Sequence, residues 1–256
     1  MSINEVFPNP TVKEVIFQIR FPSLFIIESK IGEFQLKIMK EFPESALLYR
    51  RQLVFVDMGV EAKLEDIQSE LDKQSMKKIW QFKSQNKVQL NVLFDSLNIT
   101  SKHHKTYNNI SSKDRFRDTI EFALKNFFEV ISIPIINRIG LRYVDECPIK
   151  SKTNEWFKKW YNSVFPLHRF NLEEAEEMVF KTVIKKDKNH LIYLESLEKT
   201  EDNYYLKLDF DGFAMNIDPK DCLKVTDDLH NLISDEYEKT IKEPVKEYMR
   251  KERSVK

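Results

Sequence analysis

The residues able to carry chemistry are few, and they stand far apart along the chain. His230 lies in DDLHNLISDE with Asp227, Asp228, Ser234 and Asp235 at helical spacing around it. That is the composition of a histidine–carboxylate pair able to pass a proton near neutrality. Asp95 follows Phe94 in LNVLFDSLNI, and Asp211 follows Phe210 in LKLDFDGFAMNI, with Asp209 close by. Three carboxylates brought to one place could hold a divalent cation such as Mg²⁺ through oxygen ligands. Arg20 in EVIFQIRF and Arg142 in IGLRYVDE could grip an anion through the guanidinium fork. Asp145 and Glu146 follow Arg142, and a mixed Arg–acid cluster at a strand end is a candidate interaction surface. Lys181, Lys185 and Lys186 in KTVIKKDKNH make a basic hairpin tip that could meet nucleic acid if aromatic rings were available for stacking. Tyr193, Tyr204 and Tyr205 lie nearby in sequence.

A plainer reading accompanies each, and the plainer one is expected except for the Asp145–Glu146–Arg142 cluster, where the two stand level. An Asp where a strand bends, followed by Gly212 in one copy, is ordinary turn or bulge chemistry. His230 reads as a histidine making a structural bond on a helix. Arg20 and Arg142 read as solvated on an open sheet face. The Asp145–Glu146–Arg142 cluster reads as a local salt bridge, worth up to about 1 kcal/mol if exposed. Lysines at a hairpin tip also discourage edge-to-edge aggregation. His103 and His104 in SKHHKTY read as a solvated loop pair, since no further ligand is spaced to complete a metal site.

Composition narrows the function classes. The 256 residues carry 41 basic and 41 acidic side chains, so the formal net charge is zero. A dedicated nucleic-acid binder usually has a basic excess, because phosphate neutralisation supplies most of its affinity. Only Gly32, Gly59, Gly140 and Gly212 occur, none near another. A phosphate-cradling loop needs clustered glycines so that successive N–H groups can approach the anion, so a nucleotide loop is excluded and no cofactor is expected. Cys147 and Cys222 lack neighbours at metal-ligand spacing and read as buried thiols, with no metal site expected. MSINEVFPNP lacks the pattern of a signal peptide, and no apolar run of membrane-spanning length occurs. A cytoplasmic protein with no membrane partner is therefore expected.

The elements that must position these residues fall into two similar series. EVIFQIRF alternates as a half-buried strand, with a helix over 31–42 behind it. A strand around 53–56 and a short amphipathic helix over 60–71 are expected next. IWQFKS, the turn QNK and VQLNVLFDSLNIT read as a hairpin with a long second arm. Ser111 and Ser112 are candidate caps for a helix carrying Phe116, Ile120, Leu124, Phe127, Phe128 and Ile131. The second series has a strand at Ile139–Tyr143, a short aromatic helix at about 153–163, strands at 177–186 and 190–198, and a strand YYLKLDFDGFAMNI. A last helix, capped by Asp221, should break at Pro244.

Leu141-Arg142-Tyr143 echoes Ile19-Arg20-Phe21, and the two Phe-Asp pairs follow in the same order. The expected architecture is α+β: an internal duplication of a strand–helix–antiparallel hairpin–helix unit, with helices packed on one face. The halves divide at 134/135 and join edge to edge or face to face in one compact unit. On this reading Asp95 and Asp211 hold equivalent places.

NPTVKEVIFQIRFP, IGLRYVDE and LHNLISDEYEKTIKEPVKEYM together resemble a sporadically distributed family of uncharacterised prokaryotic proteins of about this length. The resemblance spans nearly the whole chain and rests on strand and helix patterns, with no catalytic signature. The family's patchy occurrence resembles that of genes in mobile islands, where toxin–antitoxin, immunity and phage-defence proteins concentrate. It implies a non-enzymatic component that binds a protein partner encoded nearby. Two alternatives stand beside it. One is a small-ligand sensor or enzyme with an anion-binding pocket between the halves, using Arg20, Arg142, Asp95, Asp211 and His230. The other is a salt-sensitive nucleic-acid module using the basic hairpin.

Overall fold

The computed structural model describes residues 5–51, 76–200 and 203–251. In chain order these residues form β1 (Val12–Arg20), α1 (Ile26–Ile38), β2 (Glu44–Arg51), β3 (Met76–Lys83), β4 (Gln89–Leu93), β5 (Ser96–Ser101) and α2 (Phe116–Val130). There follow β6 (Ile136–Pro148), α3 (Asn154–Trp160), β7 (Met178–Lys186), β8 (Asn189–Thr200), β9 (Asn203–Ile217), α4 (Cys222–Thr240) and α5 (Glu243–Arg250). The strands make one nine-stranded antiparallel sheet in the order β2-β3-β4-β5-β1-β6-β9-β8-β7. The α+β class is thus as the alternation indicated, and the sheet runs unbroken across the expected division because β1 pairs with β6.

Alternation explains which face the helices cover. Val15, Phe17 and Ile19 of β1 and Ile139 and Leu141 of β6 are buried on one side of the sheet. Phe34 of α1 meets Phe82 of β3 and Phe127 of α2 edge-on, with ring centroids 5.8 and 5.4 Å apart. Phe210 of β9 meets Tyr237 of α4 in the same way at 6.1 Å. Each fully buried Phe contributes roughly 1.5–3 kcal/mol relative to exposure, so these rings bind the helix layer to the sheet. Among the described residues no helix covers the opposite face, and none is long and apolar enough to cross a membrane.

The break at Pro244 falls where expected. α4 ends at Thr240, and its loose end is stitched to α3: Asn162 N–H donates to the Thr240 carbonyl at 2.7 Å, and Lys242 N–H to that of Trp160 at 2.9 Å. The first satisfies the carbonyl whose helical donor would have been the N–H that Pro244 lacks, and the second gives the Lys242 N–H a partner outside the helix.

Several expectations need correction. VQLNVLFDSLNIT is two strands, because Phe94 and Asp95 form the tight turn between β4 and β5. Their carbonyls accept from Leu24 N–H at 2.8 Å and Phe21 N–H at 3.0 Å, so this turn holds the β1–α1 connection. Phe210 and Asp211, by contrast, lie inside the long strand β9. Register separates them further: Arg20 faces Ser96, whereas Arg142 faces Asp211. Asp95 and Asp211 are not equivalent. α2 begins after an extended Arg115 with no side-chain cap, so Ser111 and Ser112 do not cap it. Asp221 makes no cap either; Asp218 accepts from Lys220 N–H at 3.0 Å and starts a single 3₁₀ turn before α4. A strand forms at 44–51, ahead of the expected one; the expected strand at 53–56 and helix at 60–71 lie outside the described residues.

Gly212 is not a turn residue. Its backbone is ordinary strand, and a Cβ there would stand 3.1 Å from Ile233 Cδ1 and 3.6 Å from Leu229 Cδ2 of α4. The missing side chain lets α4 lie against β9. Gly212→Val should therefore cost about 1–3 kcal/mol through overpacking, read as a lower urea midpoint at unchanged slope.

Candidate functional site

Two places gather polar side chains, one on each side of the β1–β6 seam. On the uncovered face, register aligns Gln81 (β3), Asn91 (β4), Asn98 (β5), Gln18 (β1), Gly140 (β6), Phe213 (β9), His190 (β8) and Lys185 (β7) in one row. Gln81 donates to Asn91 Oδ1 at 3.1 Å, and Gln18 donates to Asn98. The amides thus hold one another and still carry further donor and acceptor capacity.

The charges at the centre of this face are paired. Arg142 sits opposite Asp211 but forks onto Asp209, with Nε donating at 2.7 Å. Arg138 reaches Asp211, at 2.9 and 2.8 Å to its two oxygens. To do so it crosses the Phe213 ring at 4.7 Å and occupies space that a Cβ on Gly140 would take, 2.5 Å from Nη1. Beyond Phe213, the His190 ring stacks at 4.9 Å. Its Nδ1 is buried without a hydrogen-bond partner among the described residues. Arg20 closes the edge of the row by donating to Gln18 Oε1 at 2.8 Å.

On the helix side, the seam holds a cavity of about 120 Å³. Asp145 lines it, 5% exposed, and accepts from Thr11 Oγ1 at 2.8 Å. Thr11 Oγ1 also lies 2.6 Å from the Tyr237 hydroxyl. His230 lies in α4 between two tyrosines: Tyr107 stacks on it at 4.2 Å, and the Tyr143 hydroxyl is 3.1 Å from Nδ1. Burial pushes the Asp145 carboxyl up to about 7, against the Thr11 bond. Burial pushes His230 down to about 4, although Asp227 opposes the shift. Burial likewise raises the Tyr107, Tyr143 and Tyr237 hydroxyls.

The expected residues therefore separate. His230 and Asp145 meet at the cavity. Arg142 and Asp211 are neighbours on the other face, each committed to a different partner. Asp209 and Asp211 are each neutralised by an arginine, and Asp95, at its turn, is remote from both; among the described residues no group of carboxylates and histidines could hold a metal. The five-residue anionic pocket does not form, because Arg142 and His230 lie on opposite sides of the sheet. Asp145 is no surface residue. Glu146 is exposed and pairs with Lys13 at 3.4 Å. Lys181 and Lys185 stand on the uncovered face of β7, whereas Lys186 turns to Glu236 of α4. Asp227 does not pair with the imidazole: it takes Arg117 of α2, at 2.8 and 2.9 Å, and the Tyr107 hydroxyl at 2.7 Å.

His104 is buried rather than solvated, with Nδ1 2.8 Å from Ser101 Oγ and Nε2 3.0 Å from Asp114. Serine, histidine and aspartate here have the composition of a nucleophile relay. Ser101, however, is 1% exposed and its oxygen already accepts from the His103 and His104 N–H groups, so the trio fastens a turn.

Sequence reasoning missed Tyr107, Tyr143, Tyr237, Thr11 and Arg138. One signal was available: alternation from Ile139 and Leu141 carries Tyr143 and Asp145 onto the same apolar face. A carboxylate on the core side of a strand is the anomaly that marks the cavity. No family model, curated protein or solved structure matches this chain.

Asp227→Ala should unlock α2 from α4 and cost about 1–2 kcal/mol, because a half-exposed bidentate pair and a tyrosine bond are lost together; chemical denaturation measures it. The two cavity groups should also oppose each other in pH dependence. Asp145 holds a proton in the fold between its ordinary 3.8 and about 7, so its contribution falls as pH rises through that window. His230 resists a proton between about 4 and its ordinary 6.5, so its contribution rises over the same range. Relative to the parent chain, His230→Phe should lose on the order of 3 kcal/mol of stability between pH 4 and 7, and Asp145→Asn should gain as much. Urea titrations across that range give the sign for each variant.

Proposed function

We propose that this chain is a non-enzymatic component that binds a protein partner on the uncovered face of its sheet. The observation carrying this reading is the amide row, Gln81–Asn91–Asn98–Gln18, set beside arginines and aspartates that already neutralise one another. A surface of hydrogen-bonding groups whose central charges are paired suits a polar protein surface, where specificity comes from satisfied donors and acceptors. Its centre does not suit a phosphate backbone, which calls for unpaired cations; Lys181 and Lys185 stand apart from it, on the edge strand β7. Chemistry finds little support at the centre of this face, since Asp209 and Asp211 are held by guanidinium groups. The resemblance to a patchily distributed prokaryotic family favours a partner encoded nearby, in a mobile or phage-defence locus, for an accessory, antitoxin-like or immunity role.

The same reading includes an ancestral duplication. It is supported by the order of strands on each side of the seam: the last strand of each meander, β5 or β9, returns beside the first, β1 or β6. The Phe-Asp echo gives it no support, for the reasons of register above.

Co-expression with the products of neighbouring genes, followed by affinity capture, tests the assignment. A specific partner should be retained in 0.5 M salt, and Asn91→Arg with Asn98→Arg should weaken it at least 30-fold, as expected for a change of about 2 kcal/mol at the centre of an interface. Capture of nucleic acid that disappears with salt would transfer the function to the basic hairpin instead. Equal binding by the double variant would remove the face from the interface.

A further inference from the structure

Independently of the partner face, we propose that the seam cavity is a binding site for a small organic ammonium ion. The exposed residues Glu5, Lys105 and Asn108 mark its mouth, and the buried residues Asp145 and Thr11 its floor. Among the described residues no cation pairs with Asp145; its side-chain partner is the neutral hydroxyl of Thr11. A carboxylate in such a place lacks the counter-charge that a buried anion requires.

Another buried carboxyl shows the difference. Glu195 is 0% exposed, but its oxygens accept from Ser163 Oγ, Val164 N–H and the Tyr193 hydroxyl, which closes the site around it. Asp145 instead faces a space lined by the aromatic rings of Phe7, Tyr107, Phe116, Tyr143 and Tyr237. Ring faces attract cations through their quadrupoles, and an aromatic enclosure with one carboxylate is suited to an alkylammonium group. Anions are disfavoured, because the cavity's cation is Lys105 at the mouth and its floor is acidic.

Size limits the ligand. A cavity of about 150 Å³ accepts benzene, so one of about 120 Å³ takes roughly five non-hydrogen atoms. Isobutylammonium fits that limit, and isobutanol is its neutral isostere.

The groups around Asp145 decide the pH response. Tyr143 and Cys147 on its own strand and Tyr237 from α4 are all raised by burial and stay neutral. His230 from α4, pushed down to about 4, is also neutral near pH 7. Asp209 of β9 lies behind the strand, committed to Arg142, and Glu5 and Lys105 stand at the mouth. Asp145 is the floor group whose charge changes near neutrality.

The test titrates the full chain with isobutylammonium chloride by calorimetry and by thermal shift, with isobutanol and sodium chloride as controls. Saturable binding is expected for the ammonium ion, at least tenfold tighter than for isobutanol, strengthening several-fold from pH 6 to pH 8. Asp145→Asn keeps an acceptor for Thr11 and should bring the ammonium ion down to the level of the alcohol. If that variant does not fold, the pH profile of the parent chain decides. Equal binding of amine and alcohol, affinity unchanged between pH 6 and 8, or no saturation at 100 mM would each overturn the assignment.

Discussion

The pairing of β1 with β6 is the interaction on which the rest of the structure depends. It sets Val15 against Tyr143, Phe17 against Leu141 and Ile19 against Ile139 on the helix side. Those residues form the middle of the core, and the strands outside them extend a ladder that this pair begins. A slip of one residue in this register would reverse every side chain of one half relative to the other. The Thr11–Asp145 contact and the continuity of the amide row from Gln18 to Gly140 would be lost together. The seam is therefore both the centre of the fold and the place where its unusual chemistry collects.

Charge is handled in opposite ways on the two sides of that seam. On the open side, where water supplies part of the solvation, arginine and aspartate pair across β6 and β9, and Phe213 and Gly140 shape the path of Arg138. On the helix side the core has no room for such pairs. There His230 is kept neutral between tyrosine rings, and Asp145 is left as an acid with one hydroxyl donor. The helices above it are locked by a more exposed pair, Arg117 with Asp227, which joins α2 to α4 over the seam. The open face and the cavity are thus separated by a single layer of backbone, with Asp209 and Asp145 on either side of it.

Much of the architecture could be read from residue pattern. Alternation in EVIFQIRF, IGLRYVDE and LKLDFDGFAMNI set the strands and their faces, and the break at Pro244 followed from the missing N–H. The failures have physical reasons. Asp95 does form a turn, as its residue type suggested, but without glycine or proline beside it nothing local showed that the turn divides the stretch into two strands. Gly212 carried the signal of a turn but serves helix approach, a demand made by α4 and invisible in β9 alone. Ser111 and Ser112 looked like caps because their chemistry is right, yet the loop before α2 spends Ser112 on Asp114 instead.

By itself the sequence determined the α+β class, the strand faces, and the absence of a nucleotide loop, because these follow from local periodicity and from glycine spacing. It also contained, in the alternation Leu141–Tyr143–Asp145, the fact that a carboxylate must enter the core. What only the tertiary structure decided is which distant residues share a space. Tyr107 of the loop before α2, Asp145 of β6, and His230 and Tyr237 of α4 meet because β1 and β6 pair in one particular register. The same register sends Arg142 and Asp211 to the opposite face, away from His230. Side-chain direction along a strand is a local property, but the choice of neighbour belongs to the whole sheet.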